Sequence, residues 1–201
     1  MSASSLHPAL RRWLHSFVPA PVTVRWRERV RSAVGALVGI LFTGTMMKLV
    51  PGASTLIPLL VAPMGASAVL LFAVPASPLA QPWSIIGGNL VAATVGVTCA
   101  LLVNDPVVAS ALAISVAIAG MFALRCVHPP SGAVALTAVI GGPAVHALGY
   151  RFVAEPILIQ SALLLVGALV YHAATGHRYP HAQRLPAAER PPTTAGFTRA
   201  D

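Results

Sequence analysis

Charged side chains are scarce in this chain of 201 residues. Only 9% of its residues are Asp, Glu, Lys or Arg, whereas a soluble domain carries about 25%. The stretch 32–177 contains just five formal charges, which are Lys48, Asp105, Arg125, Arg151 and Glu155. Because so few charges cannot cover a water-facing surface, the composition excludes a soluble enzyme and a disordered chain.

Cysteines and clustered acidic residues are also rare. The two cysteines, Cys99 and Cys126, lie in separate apolar runs, which favours neither a disulfide framework nor a zinc site. Asp105 and Glu155 each stand alone in a turn, so the apolar region offers no paired carboxylates. We therefore expect no catalytic residues, no metal site, no cofactor and no enzymatic activity.

The basic residues concentrate near the two ends of the chain. Ten of the thirteen Lys and Arg residues lie before residue 32 or after residue 177, and the net charge is +8. Such a charge on a soluble domain would suggest nucleic acid, but basic flanks around an apolar region are typical of the cytoplasmic side of a membrane. We expect a multi-pass protein of the cell (inner) membrane, with both termini cytoplasmic, that contacts the lipid bilayer and not nucleic acid.

Six apolar stretches are candidates for membrane helices, for which about 20 residues are needed. They cover residues 32–50, 55–74, 83–103, 107–127, 129–148 and 156–173. The second stretch contains Pro58 and Pro63, and the fifth is rich in Gly and Pro, so these two can be re-entrant or too weak to cross. The sequence thus predicts an all-α fold, a polytopic transmembrane helix bundle with four to six spans.

The positive-inside rule orders these stretches. An even number of spans keeps both basic tails cytoplasmic, and six spans place Asp105 outside and Arg125 inside, as the rule prefers. Arg151 then lies outside, against the rule. We divide the chain into a basic cytoplasmic or interfacial segment (1–30), a transmembrane domain (31–174) and a disordered cytoplasmic tail (175–201).

A short motif occurs twice. Residues 63–69 read Pro-Met-Gly-Ala-Ser-Ala-Val, and residues 130–136 read Pro-Ser-Gly-Ala-Val-Ala-Leu. Each motif lies in the second of three apolar stretches, and the third stretch opens at Pro82 or Pro156. Because three spans reverse the following group in the membrane, this pattern predicts an inverted 3+3 repeat with proline-broken helices, as in secondary transporters. The alternative is that both motifs are kinks for close helix packing.

The two motifs are also candidate anion sites. A proline at the first position of a helix leaves the following amides without helical partners, and the positive end of the helix dipole attracts anions. Arg125 and His128 precede the second motif, while Asn89 lies within a span and can contact a substrate or join two helices. The candidate substrate-binding residues are Gly65, Ala66, Ser67, Asn89, Arg125, His128, Pro129, Pro130, Ser131 and Gly132.

The segment His128-Pro129-Pro130-Ser131-Gly132-Ala133 resembles the signature of the HPP family of integral membrane proteins. The similarity extends to residues 62–72, 77–82 and 86–89 and covers residues 30–173. The resemblance implies a membrane fold, described for relatives as four spanning helices. It also implies nitrite transport, in which cyanobacterial and chloroplast relatives are implicated. Other members carry regulatory CBS domains after the membrane part, and with the short tail present here we expect no such regulation.

These observations favour membrane transport of a small inorganic anion, with nitrite as the leading candidate. The alternative is a membrane assembly or sensor protein that does not transport and works through its basic tails. Small residues at Gly35 and Gly39 permit packing against a second copy, so a homo-oligomer is among the expected partners.

Overall fold

A computed structural model describes residues 8–18, 23–50 and 60–181, and every regular element within them is helical. The helices are α1 (Pro8–His15), α2 (Trp26–Lys48), α3 (Pro63–Ala73), α4 (Pro82–Leu102), α5 (Pro106–Ala123), α6 (Pro130–Ile140), α7 (Pro143–His146) and α8 (Ile159–Ala174). A 3₁₀ helix at Pro78–Ala80 precedes α4, and a π-helical segment at Val153–Leu158 leads into α8. The predicted all-α bundle is confirmed.

In the part of the chain that the structure describes, four helices are long and apolar enough to cross a membrane. They are Trp26–Lys48, Pro82–Leu102, Pro106–Ala123 and Val153–Ala174, and they match the first, third, fourth and sixth predicted stretches. Local chemistry places the start of α5: the Asp105 carboxylate accepts hydrogen bonds from Val107 N and Val108 N at 2.9 and 2.8 Å, which is N-capping.

The second and fifth predicted stretches form the short helices α3 and α6. Each has 11 residues, or about 16 Å at 1.5 Å per residue, against a hydrocarbon core of about 30 Å. Each begins at the proline of its motif, because proline has no N–H and its fixed φ suits the first helical position.

The long helices run in two opposite directions. At one end of the bundle, the Tyr171 hydroxyl of α8 donates to Arg31 O of α2 at 2.8 Å. Just beyond α8, the Tyr179 hydroxyl donates to Ala80 O before α4 at 2.7 Å. The end of α8 therefore lies beside the starts of α2 and α4, and we call this end the tail face. The opposite end, with the 103–105 turn between α4 and α5, is the turn face.

The directions of the described helices imply six passages from one face of the bundle to the other. Because α2 and α4 both begin at the tail face, the chain must return across the bundle between them, and α3 lies on this return. Because α5 and α8 both run from the turn face to the tail face, α6 lies on the return between them. Although only four described helices reach the span length, α3 and α6 belong to broken crossings rather than to re-entrant loops.

The two halves of the chain pack in corresponding ways. Helix α2 packs on α3 as α5 packs on α6, and α2 packs on α8 as α5 packs on α4. Likewise α4 contacts α6 as α8 contacts α3. Corresponding helices run in opposite directions, so this is the arrangement that the inverted 3+3 repeat predicts.

The charges of the apolar region lie near the faces. Arg125 follows α5 at the tail face, where the Trp83 indole donates to Leu124 O at 3.0 Å. Asp105 and Arg151 lie at the turn face. Arg151 pairs there with Glu155 at 2.8 Å, so the arginine that departs from the positive-inside pattern has a carboxylate partner.

Gly35 and Gly39 pack within the chain. A Cβ atom on Gly35 would lie 2.5 Å from Cδ1 of Phe72, and one on Gly39 would lie 2.7 Å from the same ring. These glycines let α3 and α8 approach α2 closely. Because Gly35 and Gly39 pack within the chain, a second copy of the chain would have to pack against a different surface.

The ends of the chain are described in part. The segment 175–181 contacts the tail face through Tyr179 and His181, so the portion expected to be a disordered tail begins with a packed segment. Residues 182–201, the rest of that predicted tail, lie outside the described residues.

Candidate functional site

The short helices start next to each other in the interior of the bundle. The residues before their first prolines have nearly the same backbone geometry, with φ −50° and ψ −38° at Ala62 and φ −54° and ψ −39° at Pro129. From this meeting point α3 runs toward the tail face and α6 toward the turn face. Both positive helix ends are therefore directed at one region of the interior.

Ser67 and His128 join the two halves at this point. Ser67 Oγ lies 2.8 Å from His128 Nε2 and 3.2 Å from Pro63 O of its own helix. On the other side of the imidazole ring, His128 Nδ1 donates to Leu79 O at 2.8 Å. Both side chains are fully buried.

Asn89 joins three helices one turn away. Its Oδ1 accepts a hydrogen bond from Ser131 Oγ of α6 at 2.7 Å, and its Nδ2 donates to Ser161 Oγ of α8 at 2.8 Å. All three side chains have zero exposure. Together, Ser67, Asn89, His128, Ser131 and Ser161 form what we call the central polar cluster.

Gly88 allows these groups to meet. A Cβ atom at this position would lie 2.7 Å from Cys126 O, 2.9 Å from Cβ of His128 and 3.0 Å from Ser131 Oγ. Only a residue without a side chain lets the Cys126 carbonyl and the Cβ atom of His128 approach α4 this closely.

The first amides of the short helices already have partners, in contrast to the sequence-based expectation. Met64 N and Gly65 N donate to Val61 O and Ala62 O at 2.9 and 3.0 Å. In α6, Ser131 N and Gly132 N donate to the carbonyls three residues earlier at 2.9 and 3.1 Å. A 3₁₀-type turn thus precedes each helix and satisfies the amides, so the donors of the cluster are side chains.

A family model described as the HPP transmembrane region matches residues 21–180. This chain belongs to the HPP family. It is 40% identical over 120 residues to one transmembrane protein of Dictyostelium discoideum, covering 57% of this chain and 38% of that protein. It is 41% identical over 115 residues to a second such protein, covering 55% of this chain and 40% of that one. The matches span about two fifths of these relatives, and no solved structure matches.

The structure places five of the predicted site residues of this HPP domain together. Ser67, Asn89, His128, Pro130 and Ser131 are buried at the meeting point of the short helices. The other five predicted residues lie outside this cluster. Gly65, Ala66 and Pro129 are exposed, Gly132 is half-buried, and Arg125 is exposed in the tail-face loop with φ 54°.

Gly65 and Gly132 share a property that bears on access. A Cβ atom at either position would meet nothing within 4 Å. The first turns of α3 and α6 are therefore open on one side, although their amides have partners. Beside α3, Gly65 lines an apolar crevice of about 350 Å³ together with Ile40, Leu60, Val61, Ala62 and Met64.

Sequence reasoning missed several contacts in this HPP chain. Ser161 was not a candidate, and nothing in the sequence separates it from other serines in apolar helices. Gln160, whose Oε1 accepts from Val61 N at 2.9 Å, holds the segment before α3. The Leu79 carbonyl was also unpredictable, because it depends on the path of the connector between α3 and α4.

Histidines also close the far ends of both short helices. His172 Nε2 donates to Leu71 O of α3 at 2.9 Å, and His146 Nε2 donates to Val139 O of α6 at 2.8 Å. Carbonyl groups at a helix C-terminus lack helical partners, and these imidazoles supply them. His172, which could be suspected as a metal ligand, is thus a structural donor.

The tail face covers the cluster of this HPP domain. The 3₁₀ helix that supplies Leu79 O is held by Tyr179, and Gln81 Oε1 accepts from His181 N at 2.9 Å. Burial raises the pKa of Tyr179, which keeps its hydroxyl a donor.

At the turn face there is instead a cavity of about 130 Å³, lined by Val97, Ala100, Leu101, Ala138, Val145, His146 and Gly149. The cluster itself contacts neither this cavity nor the crevice beside Gly65.

Proposed function

We propose that this HPP protein transports a small inorganic anion across the cell (inner) membrane, with nitrite as the leading candidate. The observation that supports it is the meeting of two oppositely directed short helices at a buried polar cluster, bridged by Ser67 and His128 at 2.8 Å. Broken helices that meet between inverted repeats are typical of substrate sites in secondary transporters.

The chemistry of the cluster suits an anion. The hydroxyls of Ser67 and Ser131, the amide of Asn89 and the imidazole of His128 can turn donors toward a bound ion. The positive ends of α3 and α6 favour negative charge at the same place. No carboxylate of the described residues forms a hydrogen bond or an ion pair with these side chains, so an anion would meet no like charge from that source.

Transport would proceed by relative movement of the two halves. The structure is closed around the cluster, with contacts between α2 and α8 at the tail face and a cavity at the turn face. Opening one face admits the anion, and rocking of the halves then exposes it at the other face. In this proposal the tail face is cytoplasmic, because four arginines at the start of α2 are at that end, namely Arg25, Arg27, Arg29 and Arg31.

Uptake of nitrite into liposomes that contain the purified full chain tests the proposal. We expect saturable uptake above that of protein-free liposomes. An absence of protein-dependent flux for nitrite and other small anions, across several pH values, would overturn it.

Three variants test the location of the site. His128→Ala removes the bridge between the halves, while Gly65→Leu and Gly132→Leu place bulk in the open space beside each first turn. We expect each to abolish flux. Ala73→Leu adds the same bulk at the exposed far end of α3 and should transport normally. Normal flux in all three site variants would refute this location.

A second candidate function is a membrane assembly or sensor protein, and α1 favours it. Leu10, Trp13 and Leu14 are exposed at positions that share one face of α1, beside Arg11 and Arg12, and the exposed Phe17 follows in the next turn. Deletion of residues 1–18 discriminates between the two functions. A transporter should still move nitrite in liposomes, whereas an adaptor should lose its cellular role and show no flux with or without the segment.

A further inference from the structure

We propose that His128 carries a proton together with the anion, so that the transported unit is one proton plus one monovalent anion. This inference rests on the proposed transport function and names its second substrate. It follows from the hydrogen bonds on the two sides of the His128 ring.

In the neutral state every polar atom of the ring has a partner. Nδ1 carries the hydrogen, because its neighbour at 2.8 Å is the Leu79 carbonyl, which can only accept. Nε2 is then an acceptor, and Ser67 Oγ at 2.8 Å donates to it. The carbonyl of Pro63, 3.2 Å from the same hydroxyl, receives no hydrogen from Ser67 in this state.

In the protonated state both ring nitrogens of His128 keep hydrogen-bond partners if the Ser67 hydroxyl rotates. With a hydrogen on Nε2, the imidazolium donates to Leu79 O and to Ser67 Oγ. The Ser67 hydrogen then turns to Pro63 O, which already lies within reach at 3.2 Å. One proton is gained from water on one side of the membrane and released on the other. No heavy atom needs to move, and no buried polar atom of the ring loses its partner in either state.

The groups around His128 are largely uncharged, so a proton on its ring changes the charge that a bound anion meets. Helix α3 presents the Ser67 hydroxyl, the 3₁₀ helix presents a carbonyl, α4 presents Gly88, and α6 presents the Ser131 hydroxyl. Its own loop also contains the buried thiol of Cys126 and the exposed guanidinium of Arg125. No charged side chain of the described residues bonds to the ring.

A positive charge in the cluster must therefore come from His128 itself. The first amides of α3 and α6 donate to nearby carbonyls, and the exposed Arg125 lies in the tail-face loop. Protonation of His128 provides the charge that an anion needs, and a bound anion in turn stabilises the proton. The two would bind together and cross together, with no net charge moved.

Simultaneous recording of nitrite and pH inside proteoliposomes tests this. With a pH dye in the lumen and nitrite added outside at acidic external pH, we expect luminal acidification of one proton per nitrite, in excess of the nitrous acid leak of protein-free liposomes. Clamping the membrane potential with valinomycin and potassium should not change the rate. Nitrite uptake without acidification, or uptake driven by the potential, would overturn the inference and leave the transport function intact. If neither nitrite nor protons enter through the protein, both the proton-coupling inference and the proposed transport function are wrong.

Variants separate a proton carrier from a structural histidine. His128→Gln keeps an amide in place of the ring but cannot bind a proton, and we expect at least a ten-fold loss of coupled uptake. The control is His146→Gln, since His146 also donates to a backbone carbonyl but lies outside the cluster; it should behave as the parent chain. Coupled uptake at the parent rate in folded His128→Gln protein would disprove the assignment.

Ser67→Ala supplies a second test should His128→Gln not fold. The substitution removes the acceptor of the charged Nε2–H bond, and charged hydrogen bonds are stronger than neutral ones. Protonation therefore becomes harder, and the pH of half-maximal uptake should fall relative to the parent. An unchanged or raised value would contradict the relay.

Discussion

Asn89 Oδ1 accepts a hydrogen bond from Ser131 Oγ at 2.7 Å, which ties α4 in the first half of the chain to α6 in the second. The other end of the same amide donates to Ser161 of α8. One side chain thus holds three helices together at the start of a broken helix, where the backbone alone provides few contacts.

Asn89→Ala should destabilise the fold. It leaves the hydroxyls of Ser131 and Ser161 without their partner in a site with zero exposure, and we expect a loss of about 1–3 kcal/mol. Thermal unfolding in detergent measures it. Ser115→Ala is the control, because Ser115 bonds only Ala111 O of its own helix among the described residues. Equal melting temperatures for the two variants would contradict the role given to Asn89.

Gly88→Ala should be far more harmful than Gly65→Ala. The new methyl group at position 88 would lie 2.7 Å from the Cys126 carbonyl, whereas at position 65 it meets nothing within 4 Å. Overpacking of this kind costs about 1–3 kcal/mol. The yield of folded protein and its melting temperature give the comparison. A variant at position 88 that is as stable as the one at position 65 would show that the cluster is looser than described.

Cysteine labelling in cells should place the two faces on opposite sides of the membrane. In a Cys99→Ala, Cys126→Ala background, Asp105→Cys should react with an impermeant maleimide from outside. Arg178→Cys, at the tail face, should react only after permeabilisation. Labelling of both positions from the same side would refute the helix directions, while a reversed pattern would refute only the cytoplasmic assignment of the tail face.

A cross-link at the tail face should arrest transport. Glu28 Oε1 of α2 lies 3.4 Å from His177 Nε2 after α8, so this contact joins the two halves that must move apart. Oxidation of Glu28→Cys, His177→Cys protein in the cysteine-free background should block nitrite flux, and reduction should restore it. Each single variant, treated in the same way, controls for the oxidant. Full flux in verified cross-linked protein would exclude opening at this face.

Much of the fold follows from local sequence. The four long helices match predicted apolar stretches, because a membrane helix satisfies its backbone hydrogen bonds within itself. The starts of α3 and α6 at Pro63 and Pro130 were also predictable, since proline cannot donate within a helix. What local sequence left open was whether these stretches cross, and the directions of α2 and α4 answer that.

The candidate site was predicted only in part. Ser67 and His128 were both candidates, but they are 61 positions apart and no local pattern states that they touch. Ser161 gave no signal. Arg125 was a reasonable candidate by charge, yet the loop turns it to the exposed tail face.

The scarcity of charge and the two proline motifs determined the class of this protein: an all-helical membrane bundle in which proline breaks two of the apolar stretches. That information is local, because bilayer thickness and the chemistry of proline act on each segment separately. Only the tertiary structure decided which polar groups meet in the interior. It showed that the first amides of the short helices already have partners and that His128 and Ser67 form the junction of the halves. These features depend on packing between segments far apart in sequence, where Gly88 leaves the room that the Cys126 carbonyl and the Cβ atom of His128 occupy.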